Sequence, residues 1–323
     1  MDKSIVLAIT LIVLALIIFK EAKSNHKKNN SKKDTLMDNV VIIDNDCHDE
    51  DFVPLVQGAI HLDRYSKYKV HMIVTCNQKN NCAYALYNTI LKYYNSNIPL
   101  WLHKGDRLVN SRHCKGIDKY PGYIPDNKAP NAIKELEKTL RQSKDKSVKY
   151  LTGGELYTLR DFLRDKNRRD LFYKKVSEVL VATGCNINDN NCKDFNLAKD
   201  ENTANATREV FKYLKEGSIT IGNVNFKDRD KLRVYDYYKN KPDSPIKHIL
   251  ANGQYRTFGN IPPGDIEVIM VLMQNPRYKL ANIYFDGRKL RYNTVNMKDK
   301  IYSLQNSRHR YLREVIKSLE EQK

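Results

Sequence analysis

The sequence predicts an α/β fold in which a mostly parallel, mixed central sheet is flanked by helices. Three observations predict it. Asn39–Asp44 (N-V-V-I-I-D) is a β-branched run without polar alternation, as expected of a strand buried on both faces of a parallel sheet. Strand-like and helix-like segments then alternate along the chain. Carboxylates crowd directly behind the first strand, at the strand end where open α/β sheets bind ligands. A chain of 323 residues is long enough to bury such a core.

After the first strand a helix is predicted from Asp51, and Tyr68–Thr75 reads as a second buried strand. Ala83–Tyr94 has helical spacing of Leu86, Ile90 and Leu91, and Pro99–Leu102 reads as a third, shorter strand. The stretch from Lys104 to Pro130 carries Gly116, Pro121, Gly122 and Pro125 and reads as a long irregular loop, of the kind that serves as an active-site wall or lid. Helices are predicted at Ala132–Gln142 and Leu156–Asp165, and strands at Val148–Leu151 and Val179–Ala182. Thr203–Leu214, Ile219–Ile221 and Ile266–Met273 continue the pattern. With no internal repeat and no Gly/Ser linker, one domain from Asn39 to the C-terminus is the economical assignment.

Ahead of that domain, Ile5–Phe19 is an uncharged apolar run of fifteen residues, a signal peptide or membrane anchor occupying residues 1–19. No small-x-small cleavage site follows, which favours an uncleaved anchor. The linker of residues 20–38 is basic, with six lysines against one glutamate in Lys20–Lys33. By the positive-inside tendency these lysines favour a body facing the cytoplasm. The cysteines argue for the secretory pathway instead, with a membrane-anchored or secreted body. Cys76 and Cys82 lie six positions apart and Cys185 and Cys192 seven apart, each pair in a polar, Asn-rich loop that suits a small disulfide. The sequons at Asn29 and Asn205 are compatible with that route. Net charge is +18, enough to attract anionic surfaces, but no arginine-rich run interleaved with aromatics marks a specific nucleic-acid partner.

The most informative segment is Asp44-Asn45-Asp46-Cys47-His48-Asp49-Glu50-Asp51, with five carboxylates in eight residues. Acids converging there repel one another unless a cation neutralises them, and hard oxygens in that number suit Ca²⁺ or Mg²⁺. The alternative is a solvated acidic loop with Asp49 or Asp51 capping the next helix. Phosphatases of the haloacid-dehalogenase type also begin with strand-D-x-D, but the Gly/Thr-rich turn that follows their nucleophile is absent here.

The run V-V-I-I-D-N-D-C-H-D-E-D-F-V-P-L-V resembles the signature of the inosine-uridine type nucleoside hydrolases, whose first strand ends D-x-D-x-x-x-D-D before a helix. Four more segments follow in the family's order: Ile73-Val74-Thr75-Cys76-Asn77, Tyr150-Leu151-Thr152-Gly153-Gly154, Asp194-Phe195-Asn196-Leu197-Ala198-Lys199-Asp200, and Gly264-Asp265. The resemblance spans Asn39 to Leu290 and implies the Rossmann-like fold of that family and hydrolysis of nucleosides to base and ribose. It implies that Asp46, Asp51, Asp265 and the carbonyl of Thr152 hold Ca²⁺. Asp46 would also act as general base, and Glu50, Asn77, Asp194 and Asn196 would grip the ribose. The partner it implies is a small nucleoside; the N-terminal segment read above adds a membrane, and a homo-oligomer stays open.

The departures from the signature are as informative. Cys47-His48 stands where the family has Pro-Gly, Glu50 replaces an aspartate, and Glu155-Leu156-Tyr157 replaces leucine-threonine-asparagine. Gly264 stands where many members place a histidine or tryptophan that helps the base depart. These changes leave room for a ribose-binding module that has lost turnover. His48 could serve as an acid or simply pack in its loop, the tyrosines of Asp118–Tyr123 could stack on a base or form a plain turn, and Trp101 reads better as strand-end packing.

Overall fold

The β-branched run becomes β1 (Val40–Asn45), every residue of which is buried in a computed structural model of the protein. The structure describes residues 36–47, 51–78, 80–109, 112–182, 194–215, 218–222, 233–253, 266–273, 277–286, 289–293, 298–303 and 308–323. On one side of β1 lie β2 (Lys69–Gln78) and then β3 (Leu100–Val109). On the other lie β4 (Val148–Thr152), β5 (Val176–Val181) and β6 (Ile219–Gly222). All of these pairings are parallel. Of the last three strands, β7 (Arg277–Asp286), β8 (Lys289–Asn293) and β9 (Asp299–Ser303), only β9 continues the parallel ladder. β7 then adds antiparallel to β9, and β8 antiparallel to β7. The sheet is therefore mixed but mostly parallel, with order β3-β2-β1-β4-β5-β6-β9-β7-β8.

The chain leaves β1 towards β2 and β3, then crosses back to start β4 on the other side of β1. That reversal is the topological switch point, and it opens a crevice beyond the C-terminal ends of β1 and β4.

Helices cover the sheet. They are α1 (Phe52–Tyr65), α2 (Ala83–Tyr93), α3 (Ala132–Gln142), α4 (Tyr157–Arg164) and α5 (Lys166–Lys175). The short α6 (Phe195–Ala198) is followed by α7 (Glu201–Tyr213), α8 (Pro245–Asn252), α9 (Glu267–Met273) and α10 (Arg308–Glu321). Side-chain caps fix the starts of two of these helices. Asp200 accepts from the Thr203 amide at the start of α7, and Ser244 precedes Pro245 at the start of α8. From Asp38 to Lys323 the chain forms one compact unit. Among the described residues no helix is long and apolar enough to cross a membrane, and Ile5–Phe19 lies outside them.

Two expectations are corrected. The third strand runs on to Val109, into the stretch read as irregular from Lys104, because a register shift between Thr75 and Asn77 lets β3 resume pairing after a bulge despite its polar sequence. Beyond it the loop holds three short 3₁₀ turns, at Arg112–Cys114, Ile117–Lys119 and Asp126–Lys128.

The cysteine pairing is also different. Cys76 bonds to Cys47 and Cys82 to Cys114, so no Cys76–Cys82 bridge forms. Spacing in sequence was the wrong guide: β1 and β2 pair with a constant offset, Val40 with Lys69 through Asn45 with Val74, and the same offset carries Cys47 to Cys76. Cys185 and Cys192 lie outside the described residues. The sequon at Asn205 falls within α7, where the Thr207 hydroxyl is buried and donates to the carbonyls of Leu197 and Thr203.

Candidate active site

The crevice at the switch point is built by two walls. The first is the end of β1 and β2. Asp44 belongs to β1 itself and is only 1% exposed, and its carboxyl accepts from the hydroxyls of Thr75 at 2.5 Å, Tyr150 at 2.5 Å and Thr158 at 3.4 Å. Burial pushes this carboxyl up to about 6 against those three donors. The reading of five converging carboxylates is corrected at this position, because Asp44 is held beneath the crevice by hydroxyl groups.

Asp46 lies just beyond the strand with 8% of its surface exposed. Its backbone carbonyl accepts from the Asn45 amide group at 2.9 Å and from the Tyr87 hydroxyl of α2. Asn45 also donates to Tyr87 at 3.1 Å, so these three residues fix the backbone at Asp46 from below. The Tyr87 ring in turn stacks on Phe52 of α1, with centroids 4.9 Å apart. Asp51 sits at the N-cap of α1.

The second wall is the end of β4 together with α6. The Gly153 amide donates to the Asp44 carbonyl at 3.0 Å, which carries the β4 turn across to β1. At Gly154 a Cβ would fall 2.5 Å from the Asp46 amide nitrogen, so only glycine lets the turn approach this closely. The Thr152 carbonyl already accepts the Ala182 amide at 2.8 Å, and its second lone pair is what a metal would use. Asn196 donates through Nδ2 to the Gly153 carbonyl at 2.6 Å. Asp194 is buried and caps α6 by accepting from the Leu197 amide at 3.1 Å. Lys199, at the end of α6, forms a buried ion pair with Glu155, and its ammonium lies 5.0 Å from the centroid of the half-exposed Phe195 ring.

The structure thus brings together Asp46, Thr152 and Asn196, with Asp51 and Asp194 at the starts of the adjoining helices. Glu50, Asp265, His48 and Gly264 lie outside the described residues, as does the side chain of Asn77, whose backbone ends β2. Among the described residues no group of three His, Cys, Asp or Glu is placed to hold a metal ion. The donors that are described, two carboxylates and a carbonyl, are hard oxygens of the type that Ca²⁺ takes, and the buried Asp46 is a fitting first ligand.

Of the other candidates, Trp101 and Tyr120 resolve as packing, while Tyr123 is exposed. Trp101 is buried on β3 against His71, centroids 5.1 Å apart. Tyr120 is buried and donates to Asp243 at 2.7 Å, and Gly122 makes its turn at φ +91 against α2. The sequence assigns Glu155 and Lys199 no functional role. Their signal was charge of opposite sign placed in two motif segments.

Neither a family model nor a curated relative matches the sequence. Solved structures do resemble the fold. The purine-preferring ribonucleoside hydrolase of Gardnerella vaginalis superposes with a TM-score of 0.61 at 10% identity, over 88% of this chain and 98% of that one. The inosine-uridine preferring nucleoside hydrolase of Bacillus anthracis gives 0.57 at 14% identity, over 86% and 98%. The type III effector protein XopQ, in complex with adenosine diphosphate ribose, gives 0.59 at 10% identity, over 88% and 93%. The chain therefore has the nucleoside hydrolase fold, carried on a divergent sequence.

Proposed function

We propose that this chain is a calcium-dependent N-ribohydrolase that cleaves ribonucleosides to free base and ribose. The observation that carries the reading is the contact of the Thr152-Gly153-Gly154 turn with Asp46 at the switch point, in a fold shared with proteins described as purine-preferring and inosine-uridine preferring hydrolases. Asp46, Asp51, Asp265 and the Thr152 carbonyl would hold the ion. When bound, Ca²⁺ supplies a positive field that lowers the pKa of the attacking water and orients the ribose diol. Asp46 accepts the proton of that water. Glu50, Asn77, Asp194 and Asn196 hold the ribose, and the oxygens of this group face the positive charge that develops on the ring as the N-glycosidic bond breaks. The N-terminal segment would tether the domain to a membrane, on the oxidising side, where the two disulfides persist.

A second reading is a nucleoside- or ribose-binding module without turnover. Two observations favour it: the Glu155–Lys199 ion pair built into the crevice, and the nucleotide-sugar complex of an effector with the same fold. A panel of nucleosides and nitrophenyl riboside, assayed for released ribose with and without a chelator, separates the two. Chelator-sensitive release is expected, with the activated riboside cleaved faster than inosine because Gly264 offers no acid to the departing base. Absence of release from every substrate, with calorimetric binding retained, would establish the module.

A further inference from the structure

Cys47 and Cys76 each adjoin a candidate site residue in the chain, Asp46 on one side and Asn77 on the other. The backbone ladder weakens at this place. β1 pairs with β2 only as far as Asn45–Val74, and the β2–β3 register slips between Thr75 and Asn77, so Cys76 is itself at the irregularity. The disulfide continues the register of β1 and β2 two residues past their last pairing, with both sulfur-bearing residues buried. Cys47 also stands where the signature it resembles has proline, whose ring restricts the backbone by itself.

We propose that the Cys47–Cys76 disulfide is a positioning element of the site, holding the Asp46 loop against the end of β2 in the arrangement that lets Asp46 ligate Ca²⁺. This rests on the hydrolase reading above, in which Asp46 is a calcium ligand. The bridge does so by replacing, at the two residues where the ladder stops, the hydrogen bonds that would otherwise keep β1 and β2 together. Tyr87 and Asn45 fix the Asp46 carbonyl from below, and the disulfide fixes the next residue sideways.

The second disulfide provides a matched control. Cys82–Cys114 spans 32 residues against 29 for Cys47–Cys76, so the two crosslinks restrict the unfolded chain almost equally. Neither Cys82 nor Cys114 adjoins a candidate metal or ribose residue in the chain. A loss peculiar to the first bridge is therefore a loss of positioning and not of general crosslinking.

The test is calcium titration by calorimetry of the wild-type protein and of the Cys47→Ala/Cys76→Ala and Cys82→Ala/Cys114→Ala variants, each checked for native circular dichroism. The first variant is expected to lose roughly 10- to 100-fold in affinity, the range for removing a support behind a metal ligand, and the second to stay close to wild type. Equal affinity in all three proteins, or equal loss in both variants, overturns the proposal. Wild-type protein that binds no Ca²⁺ overturns the hydrolase reading, and the proposal with it.

A measurement on the wild-type protein needs no variant to fold. If the bridge favours calcium binding, calcium must by reciprocity disfavour opening the bridge. Equilibration in buffers of graded reduced-to-oxidised dithiothreitol ratio, in which two electrons and two protons pass to the disulfide as the reagent cyclises, followed by alkylation and peptide mapping, should show that Cys47 and Cys76 need a more reducing buffer with Ca²⁺ than with chelator. Cys82 and Cys114 should show no such difference. Calcium-independent reduction of Cys47–Cys76 overturns the proposal.

Discussion

The two walls of the crevice are held by different kinds of force. The β1/β2 wall is held covalently by Cys47–Cys76 and from below by the Tyr87 and Asn45 contacts to the Asp46 carbonyl. The β4/α6 wall has no crosslink among its described residues and relies on the buried Glu155–Lys199 pair and the Asn196–Gly153 hydrogen bond. A disulfide is indifferent to ionic strength and to the loss of a neighbouring side chain. A buried ion pair depends wholly on both partners being present, because either charge alone is stranded in low dielectric. The first wall should therefore be the rigid reference against which the second is set, and mutations should separate the chemistry of one from the assembly of the other.

The largest effect is expected where the chemistry sits. Asp46→Ala removes the proposed base without touching the backbone bonds that Tyr87 and Asn45 make to residue 46. Hydrolysis should fall by about 10²- to 10⁴-fold, with the melting temperature in chelator unchanged or raised as a buried charge is removed. Initial rates on the best substrate, paired with thermal melts, check both halves. A variant as active as wild type would move the base elsewhere.

Next comes the ion pair. Glu155→Leu or Lys199→Met alone should cost about 3–5 kcal/mol of stability, since each strands a buried charge, whereas the double variant should return close to wild type. Urea denaturation of the four proteins gives the coupling directly. If the double variant is stable but binds ribose poorly, the pair serves the site and not the fold. Equal stability of all four would show that the pair is solvated and idle.

Acid should load the first wall. His113 is buried, its ring edge-on to Phe52 at 5.9 Å, and Phe52 carries the Tyr87 ring that braces Asp46. Burial lowers the His113 pKa to about 4. Its folded value lies below its unfolded one near 6.5, so its contribution is fully present above pH 6.5 and is lost as pH falls from there through 4. The loss is on the order of 3 kcal/mol. Between pH 7.5 and 4.5 the denaturation midpoint of His113→Gln should drop by less than that of the wild type, and parallel curves would remove this histidine as a cause.

The same contrast explains what could be read from the sequence. β1, β2 and β4 are legible because strands buried on both faces must be almost continuously apolar, and the predicted Asn39–Asp44 and Val148–Leu151 each fall within one residue of the observed ends. β7 alternates buried Ala281 and Ile283 with exposed Leu280 and Tyr284, a signal too short and mixed to declare a strand beforehand. α5 is a nearly all-polar helix, K-N-R-R-D-L-F-Y-K-K, held by an Asp165 cap and two buried residues, and carries no apolar stripe to find. In the crevice, the glycine turn and Asn196 were legible as motif. The Cys47–Cys76 bridge was not, because long-range register and not local spacing decides which sulfurs meet.

The smallest expected effect is at Asn196, where the two walls are finally joined. Its Nδ2 donates to the Gly153 carbonyl, so the side chain both steadies the turn packed on Asp46 and, in the proposed reaction, presents its oxygen to the ribose. Asn196→Ala removes both roles and should cost about 1–3 kcal/mol, the range for leaving a buried partner unsatisfied. Asn196→Asp separates the roles, since the carboxylate keeps an oxygen for the ribose but has no donor for Gly153 and repels its carbonyl. If the tether to the turn dominates, the Asp variant should melt at or below the Ala variant and lose kcat/KM to a similar degree. If the ribose contact dominates, the Asp variant should melt like the Ala variant yet retain most of kcat/KM. Wild-type melting and wild-type kinetics in both variants would mean that α6 is placed without Asn196, by the Glu155–Lys199 pair and the hydrogen bond from Thr207 to the Leu197 carbonyl.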